Sequence, residues 1–452
     1  MPVEEIKKKA RFKKVDVDKI ESQWDVKKHQ IFANRYRYPD RTIKDDYKDP
    51  VTGETKTRTK SVPLTRIGLP YQKEIVKTGS AFFCGIPIKY SSNNDDEIYD
   101  SFQKFIDREK LKYYDKKIYE AVEKWTECAT LIYTTEKENN YYGFESGFKL
   151  NLLLLTPDEN KLYPEFDDFG KMVRFSREYE SGDGTKTFET YTDDYIDKFE
   201  KQKDKWVLVS TIENPINKIP ISYYSTEHPA WYDVQEMIER LEEIYSNVSE
   251  SNDRFAFPLL ILKGRVQGQI TKDRSGKVLE LSGDNGDAKF AIPPNAAENL
   301  NDEIKRLERD IYDFTKTPNI TPEKMQGLGN MLSGIAMKYF FMSAHLKVME
   351  KEPLFVNGIL RRVSIIEEYL KLMNSSFRNQ SLDVDPIITP YIINNQEDLA
   401  RYLMEVTAGQ PLISQRKAME LFGIENADEM LEEIQDEANS RADQRNADEF
   451  IF

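Results

Sequence analysis

The sequence predicts an α+β fold: a mixed body, a β-rich insertion held between two helices, and a helical C-terminal part. Three observations lead there. Apolar residues recur at helical spacing within residues 99–126, 231–255 and 297–315. Short runs rich in β-branched and aromatic residues follow one another from Thr130 to Ile212, with Gly182-Asp183-Gly184 and Asn214-Pro215 as turn signals. A β-rich stretch lies between two amphipathic helices of comparable length.

Taken in order, Val15–Lys27 has helical composition, and Arg41–Lys60 reads as an exposed, mobile polar arm interrupted by Pro50 and Gly53. Val62–Ser80 is helical, and Ala81–Ile88 is a buried stretch broken by Gly85 and Pro87. Tyr99–Thr126 reads as one amphipathic helix with Phe102, Phe105, Leu111, Ile118, Val122 and Trp125 in its stripe. Strands are expected at Thr130–Thr134, Lys149–Leu155, Met172–Tyr179, Thr185–Tyr191, Tyr195–Phe199 and Trp206–Ile212, in a meander.

Trp231–Phe255 is a helix whose stripe is Trp231, Val234, Ile238, Leu241, Ile244 or Tyr245, Val248 and Phe255. Its other face carries Asp233, Glu236, Glu239, Glu242, Glu243, Glu250 and Asp253. Leu259–Val266 reads as a strand, and Asp273–Gly276 and Gly283–Gly286 as turns. Ala297–Thr315 is a helix again. The alternatives for this stretch are a stalk with a distant tip, or a helical hairpin packed on the body. The 316–332 segment contains Pro318, Pro322, Gly327 and Gly329 and reads as an irregular loop, either a moving part or an ordinary connection. A long helix follows from Ser333, with Ile335, Tyr339, Met342, Leu346 and Met349 on one face and a kink expected at Pro353. Glu397–Thr407, Ser414–Phe422 and Ala427–Ala438 are expected to be helical, followed by a frayed polar tail.

Composition sets the bounds. The 452 residues are 39% hydrophobic and 32% charged, enough for two to four domains with real cores. A net charge of −14 argues against non-specific coating of nucleic acid, because few counterions would be released. The charge is uneven: residues 1–60 carry about +6 and residues 394–452 about −9. Two ordinary solvated surfaces, or complementary ends, both fit. Two cysteines, Cys84 and Cys128, make no disulfide framework and suit a reducing compartment. His29, His228 and His345 are too scattered to form a catalytic or metal cluster. No apolar run is long enough to span a membrane, and Met1–Arg11 lacks a signal peptide's apolar stretch, so a soluble protein made inside the cell is expected.

Catalytic motifs are missing. Asp273-Arg274-Ser275-Gly276-Lys277-Val278 lacks both the leading glycine of a phosphate-binding loop and the Ser/Thr after lysine. Gly327-Leu328-Gly329 has leucine at 332 and no strand before it. Asp167-Asp168 and Asp193-Asp194 are conceivable nuclease ligands, but adjacent loop carboxylates are usually just solvated. The expectation is therefore a non-enzyme without catalytic residues, metal or cofactor. The third class weighed is a metal-dependent nucleic-acid enzyme.

Several strings, in this order, resemble tailed-bacteriophage portal proteins of the SPP1 type, from about residue 62 to 437. They are Ile75–Ile88, Asn214–Ile221, Leu260–Gly264, Ser333-Gly334-Ile335-Ala336-Met337-Lys338-Tyr339, and Ile413-Ser414 followed by Glu432-Glu433-Ile434. The arm before Val62 matches nothing in that pattern.

The resemblance implies a portal-type protomer assembled as a dodecameric ring. Its parts would be an N-terminal arm (1–61), an α/β wing (62–229 and 333–393), a two-helix stem (230–257 and 297–315), a clip (258–296), a tunnel loop (316–332), a crown (394–437) and a tail (438–452). It implies a head–tail connector at one capsid vertex, a channel for packaging and ejecting double-stranded DNA. The implied partners are other copies of the chain, the large terminase, head-completion or adaptor proteins, and major capsid and scaffold proteins, with no membrane. The protein would be made in the host cytoplasm and reside in the virion. A ring or scaffold adaptor that passes no DNA is the alternative.

The residues assigned on this basis are Lys316, Asn319, Lys324, Met325, Asn330 and Met331 in the tunnel loop. Glu236, Glu239, Glu243 and Glu250 would line the channel, and Lys272, Asp273 and Arg274 would form the docking tip.

Overall fold

The computed structural model describes residues 2–10, 15–34, 38–92, 96–255, 259–273, 276–291, 297–320, 341–391, 396–407, 411–424 and 426–437. It divides into two compact units, Met1–Asn319 with Ser343–Tyr391, and Ile320–Met342 with Ile392–Phe452.

The larger unit begins with α1 (Val3–Lys9). Glu4 and Glu5 in its first turn and Lys7, Lys8 and Lys9 in its last oppose the helix dipole. Val3 and Ile6 pack into a core with Tyr163, Phe188 and Phe199. Asp16 caps α2 (Val17–Trp24) through the Lys19 amide at 3.0 Å, and a short helix, α3 (Gln30–Ala33), follows.

The expected irregular arm is instead a β-hairpin, β1 (Arg41–Lys48) paired antiparallel with β2 (Thr55–Val62). Thr55, Thr57 and Thr59 favour extended backbone. Asp49 organises the turn by accepting from the Val51 amide at 2.9 Å, and Gly53 takes the positive φ. The hairpin is largely exposed, as expected, but it is regular.

Helix α4 (Tyr71–Cys84) starts later than predicted because Pro63 and Pro70 keep the preceding chain extended, and it runs through Ala81–Cys84. After β3 (Lys89–Ser91), the predicted single helix is two, α5 (Glu97–Glu109) and α6 (Leu111–Trp125). Lys110, at φ +52, breaks the helical run between them. The stripe itself is as expected, with Phe102, Phe105, Leu111, Ile118 and Val122 all buried.

Two antiparallel sheets follow. β4 (Glu127–Asn139) and β5 (Ser146–Leu155) pair, and five strands then form the expected meander: β6 (Asn160–Phe166), β7 (Met172–Glu180), β8 (Lys186–Tyr191), β9 (Tyr195–Gln202) and β10 (Lys205–Glu213). β11 (Ile221–Ser225) returns to pair with β4. The sequence reading contained neither β6 nor β11. Ala129, Leu131, Leu155, Leu162, Phe175, Tyr191, Ile219 and Ile221 close a core between the sheets.

Helix α7 (Gln235–Phe255) leads to β12 (Leu259–Asp273) and β13 (Gly276–Ala291), and α8 (Ala297–Phe314) returns. β12 and β13 form one long antiparallel hairpin. The expected second turn at 283–286 is not a turn that ends a strand. It lies within β13 as an irregularity, where Lys263↔Asp287 gives way to Arg265↔Ser282.

Helix α9 (Met342–Met373) is one element containing Pro353. Its buried side is Ala344, Val348, Phe355, Ile359, Val363, Ile366 and Leu370, whereas Met342, Leu346 and Met349, on the expected apolar face, are exposed. Both sides are apolar, so periodicity cannot rank them. The side bearing Gly358 is buried because a Cβ there would come within 2.0 Å of the Tyr224 ring. The Ser222 hydroxyl donates to the Gly358 carbonyl at 2.6 Å across the same contact. β14 (Asp385–Ile387) pairs with β3.

The smaller unit holds the three C-terminal helices, α10 (Gln396–Thr407), α11 (Gln415–Phe422) and α12 (residues 427–437). Ser414 caps α11 through the Lys417 amide at 3.1 Å, as predicted. Gly423, at φ +101, stops it.

Candidate functional site

Helix α8 ends where the predicted loop begins. The Thr317 amide donates to the Tyr312 carbonyl at 2.9 Å and the Lys316 amide to Asp313 at 3.1 Å. With Lys316 at φ +51, this is the two-bond helix stop in which a left-handed residue satisfies the last carbonyls. Glycine usually occupies that position, and a lysine there carries about 1 kcal/mol of strain.

The Lys316 side chain folds back instead of projecting freely. Its Nζ forms an ion pair with Glu350 on α9. That hydrogen bond holds the Glu350 carboxyl below the usual carboxylate range, with Lys351 and Lys347 acting in the same direction. Beneath lies Lys347, which is buried, and burial pushes its ammonium below the usual lysine range against the opposing attraction of Glu123. Lys351 Nζ sits 2.8 Å from Oε1 of the buried Glu123. Only about 10 Å³ remains free among Phe82, Tyr119, Pro318, Ala344 and Val348. Gly79 permits this closeness, since a Cβ would stand 2.8 Å from the Tyr119 hydroxyl. The base of the predicted loop is therefore clamped between α4, α6 and α9. The Asn319 Oδ1 is buried without a hydrogen-bond partner among the described residues. Lys324, Met325, Asn330 and Met331 lie outside the described residues.

The acidic face of α7 divides by partner. Glu236 is exposed. Glu239 accepts from Gln235 at 3.1 Å, and Glu243 pairs with Arg240 at 3.0 Å. Arg240 also reaches Glu303 on α8 at 3.1 Å, tying the two helices. Glu250 faces the chain leading from the hairpin, with Arg41 at 3.7 Å and the Thr65 amide at 3.5 Å.

Glu242 departs from the expected solvated face. It is only 1% exposed, 2.6 Å from His29 Nδ1, and accepts from the Leu69 amide at 2.8 Å. The α7 stripe is likewise buried within the protomer: Trp231, Val234, Ile238, Leu241 and Ile244 are all inaccessible, and Trp231 Nε1 donates to Gln23 at 3.0 Å. This half of α7 packs on the body, as in the second reading of the stalk. α8 ends with Phe314 exposed.

At the far end of the insertion, Lys272↔Lys277 and Asp273↔Gly276 close the β12–β13 ladder, so Lys272 and Asp273 are at the hairpin tip. Arg274 lies outside the described residues.

Sequence reasoning missed three buried charge clusters: His29–Glu242, the Lys347–Glu123–Lys351 group, and Arg362 with Asp115 and Tyr90. Arg362 Nη2 lies 2.6 Å from both Asp115 Oδ1 and the Tyr90 hydroxyl, and that hydroxyl donates to Asp115 Oδ2 at 3.0 Å. Burial, with Asp115 adjacent, raises the Tyr90 phenol well above its usual range. Lys347 and Arg362 stand on the otherwise apolar buried side of α9, and that was the one available signal. Burial also raises both cysteine thiols, so neither is a reactive thiolate. Among the described residues no group of three or more His, Cys, Asp or Glu is placed to hold a metal ion, and no helix is long and apolar enough to cross a membrane. The arrangement positions segments, and its charges are spent on holding elements together.

A family model described as "Phage portal protein, SPP1 Gp6-like" matches residues 17–444. Among solved structures, a chain titled "Neck of empty GTA particle computed with C6 symmetry" is similar at 12% identity and a TM-score of 0.42, over 79% of this chain and 90% of that one. A comparison with curated proteins finds no match.

Proposed function

Because this chain belongs to the SPP1 Gp6-like family of phage portal proteins, we propose that its copies close into a dodecameric ring at one capsid vertex and pass double-stranded genome DNA through the axis. The family match across residues 17–444 carries this reading. Portal proteins are structural components of the virion, so the chain's work is mechanical: to surround, guide and hold.

In this assembly α7 and α8 form the stem and the β12–β13 hairpin the clip. Lys272, Asp273 and Arg274 at its tip meet the large terminase during packaging and head-completion proteins afterwards. Residues 62–229 and 333–393 form the wing toward capsid and scaffold proteins, and residues 394–437 the crown. Residues 316–332 are the tunnel loop, with Lys316, Asn319, Lys324, Met325, Asn330 and Met331 nearest the duplex.

A channel must not grip what it conducts. Each phosphate contact by a free cation adds salt-dependent affinity. Glu236, Glu239, Glu243 and Glu250 would present carboxylates, or carboxylates already paired, to the passing phosphates. The Lys316 ion pair with Glu350 supports the same reading, because it leaves less positive charge at the loop's base. Lys324 is then the lysine of the loop that touches phosphate transiently.

Electron microscopy of the purified full chain tests the proposal. The expected particle is a closed ring with an axial opening wide enough for a duplex. A ring too narrow for DNA would favour the adaptor that passes none, and a globule without an opening would remove the channel. Replacing Lys324 by alanine is expected to reduce DNA packaging or retention while leaving ring assembly intact. Loss of the ring would instead make it an assembly residue.

A further inference from the structure

The three C-terminal helices of the smaller unit bury few apolar side chains among the described residues. Along these helices the described buried apolar side chains are Leu403, Ala418 and Ala427. Between α10, α11 and α12 runs an open apolar groove of about 310 Å³, lined by Leu403, Met404, Ala418, Met419, Phe422 and Ile434. Met404 is 71% exposed, and Phe422 and Ile434 are 43% and 45% exposed. Burying apolar surface stabilises a helical unit, and these side chains leave such surface exposed in the groove.

The chain itself carries apolar side chains able to cover it. Residues 438–449 are Ala-Asn-Ser-Arg-Ala-Asp-Gln-Arg-Asn-Ala-Asp-Glu, small or polar throughout, and Phe450-Ile451-Phe452 follows. The tether starts from α12, the helix that supplies Ile434 to the groove. Twelve residues span up to about 40 Å at ~3.3 Å each. That is several helix diameters, so the apolar triplet can return to any part of the groove. We propose that Phe450-Ile451-Phe452 seats in the groove of its own protomer and completes the core of the C-terminal helical unit. The occupant is this segment because it joins the right chemistry to a tether of sufficient length, at a high effective concentration. The inference does not rest on the proposed function.

Cysteine cross-linking in the full chain tests it. Native Cys84 and Cys128 are both buried and do not compete. With Met404→Cys and Glu449→Cys together, mild oxidation is expected to give an intrachain disulfide in most molecules, identified by peptide mass. Glu405→Cys, exposed and not part of the groove lining, paired with Glu449→Cys, is expected to link at least about tenfold less, because only the docked state holds the thiols close. Changing Phe450, Ile451 and Phe452 all to serine in the Met404→Cys, Glu449→Cys background should remove the preference. An interchain disulfide in place of the intrachain one would assign the groove to a second copy's segment and overturn the proposal. Equal linking at positions 404 and 405, or linking that survives the serine changes, would overturn it as well, since a tether that never docks behaves that way.

Discussion

Lys316 occupies a left-handed position that glycine fills without strain, yet its side chain is engaged by Glu350. The two effects are of similar size and opposite sign, about 1 kcal/mol for the backbone and at most about 1 kcal/mol for an exposed ion pair. Lys316→Gly should therefore melt close to the parent, and Lys316→Ala, which keeps the strain and loses the pair, should be the less stable of the two by about 1 kcal/mol. Thermal unfolding of the three proteins side by side decides it. The pH dependence follows from Glu350, whose carboxyl is held below its ordinary value of 4.5. A carboxylate depressed in the folded state contributes stability that is complete above 4.5 and disappears as pH falls through the lower folded value. The gap between parent and Lys316→Ala should thus be present at neutral pH and close in acid. At the buried Arg362–Asp115 pair the outcome is larger, because removing one partner strands a charge without water. Asp115→Asn, which preserves shape, is expected to lose about 3–5 kcal/mol in urea unfolding. A loss under 1 kcal/mol would mean that Tyr90 and the surrounding dipoles suffice to hold the guanidinium.

At the scale of elements, α9 is seated on β11 through Gly358. A methyl group there has no room beside Tyr224. Gly358→Ala should destabilise the fold by about 1–3 kcal/mol despite alanine's better helix propensity, which urea unfolding would register. The β1–β2 hairpin is the opposite case. It is two-stranded and mostly exposed, so replacing residues 44–59 by a short turn should shift thermal unfolding little, within about 1 kcal/mol.

These elements also show what was legible beforehand. Helix α8 and strands β7 to β10 of the meander were readable to within a few residues, because length, stripe and turn residues agreed. Helix α7 was readable too, but its partners were not. Whether Glu242 meets water or His29 depends on a residue 213 positions away. The β1–β2 hairpin was missed because it has no apolar alternation. β6 was missed because Pro164 sits inside it, at a position where the strand still pairs with Phe175. The site was legible in the same uneven way. The place of Lys316 just after α8 was readable, but its partner Glu350 lies on another helix 34 residues on, and nothing local announces it. α9 was misoriented because both its faces are apolar, and only the close approach at Gly358 selects one.

For the whole molecule, the decisive quantity is charge. With a net −14, and with the described carboxylates of α7 facing solvent or paired, the protein should show no measurable affinity for linear duplex DNA at physiological salt. In an electrophoretic shift assay at 50–200 mM salt, the expected slope of log affinity against log salt is too shallow to measure. Tight, steeply salt-dependent binding would point to a cationic surface assembled from several copies, and with it to a wall that holds DNA in place.

The β12–β13 ladder changes register twice, between Lys263 and Arg265 and between Gln267 and Thr271. A ladder that already tolerates such slips can gain or shed a residue at those points without disturbing α7 and α8 at its base. Among the chain's descendants and cousins, differences in length should gather at these two places. The hairpin's reach would then drift from lineage to lineage, and on the proposed assignment each docking protein would have to keep pace with it.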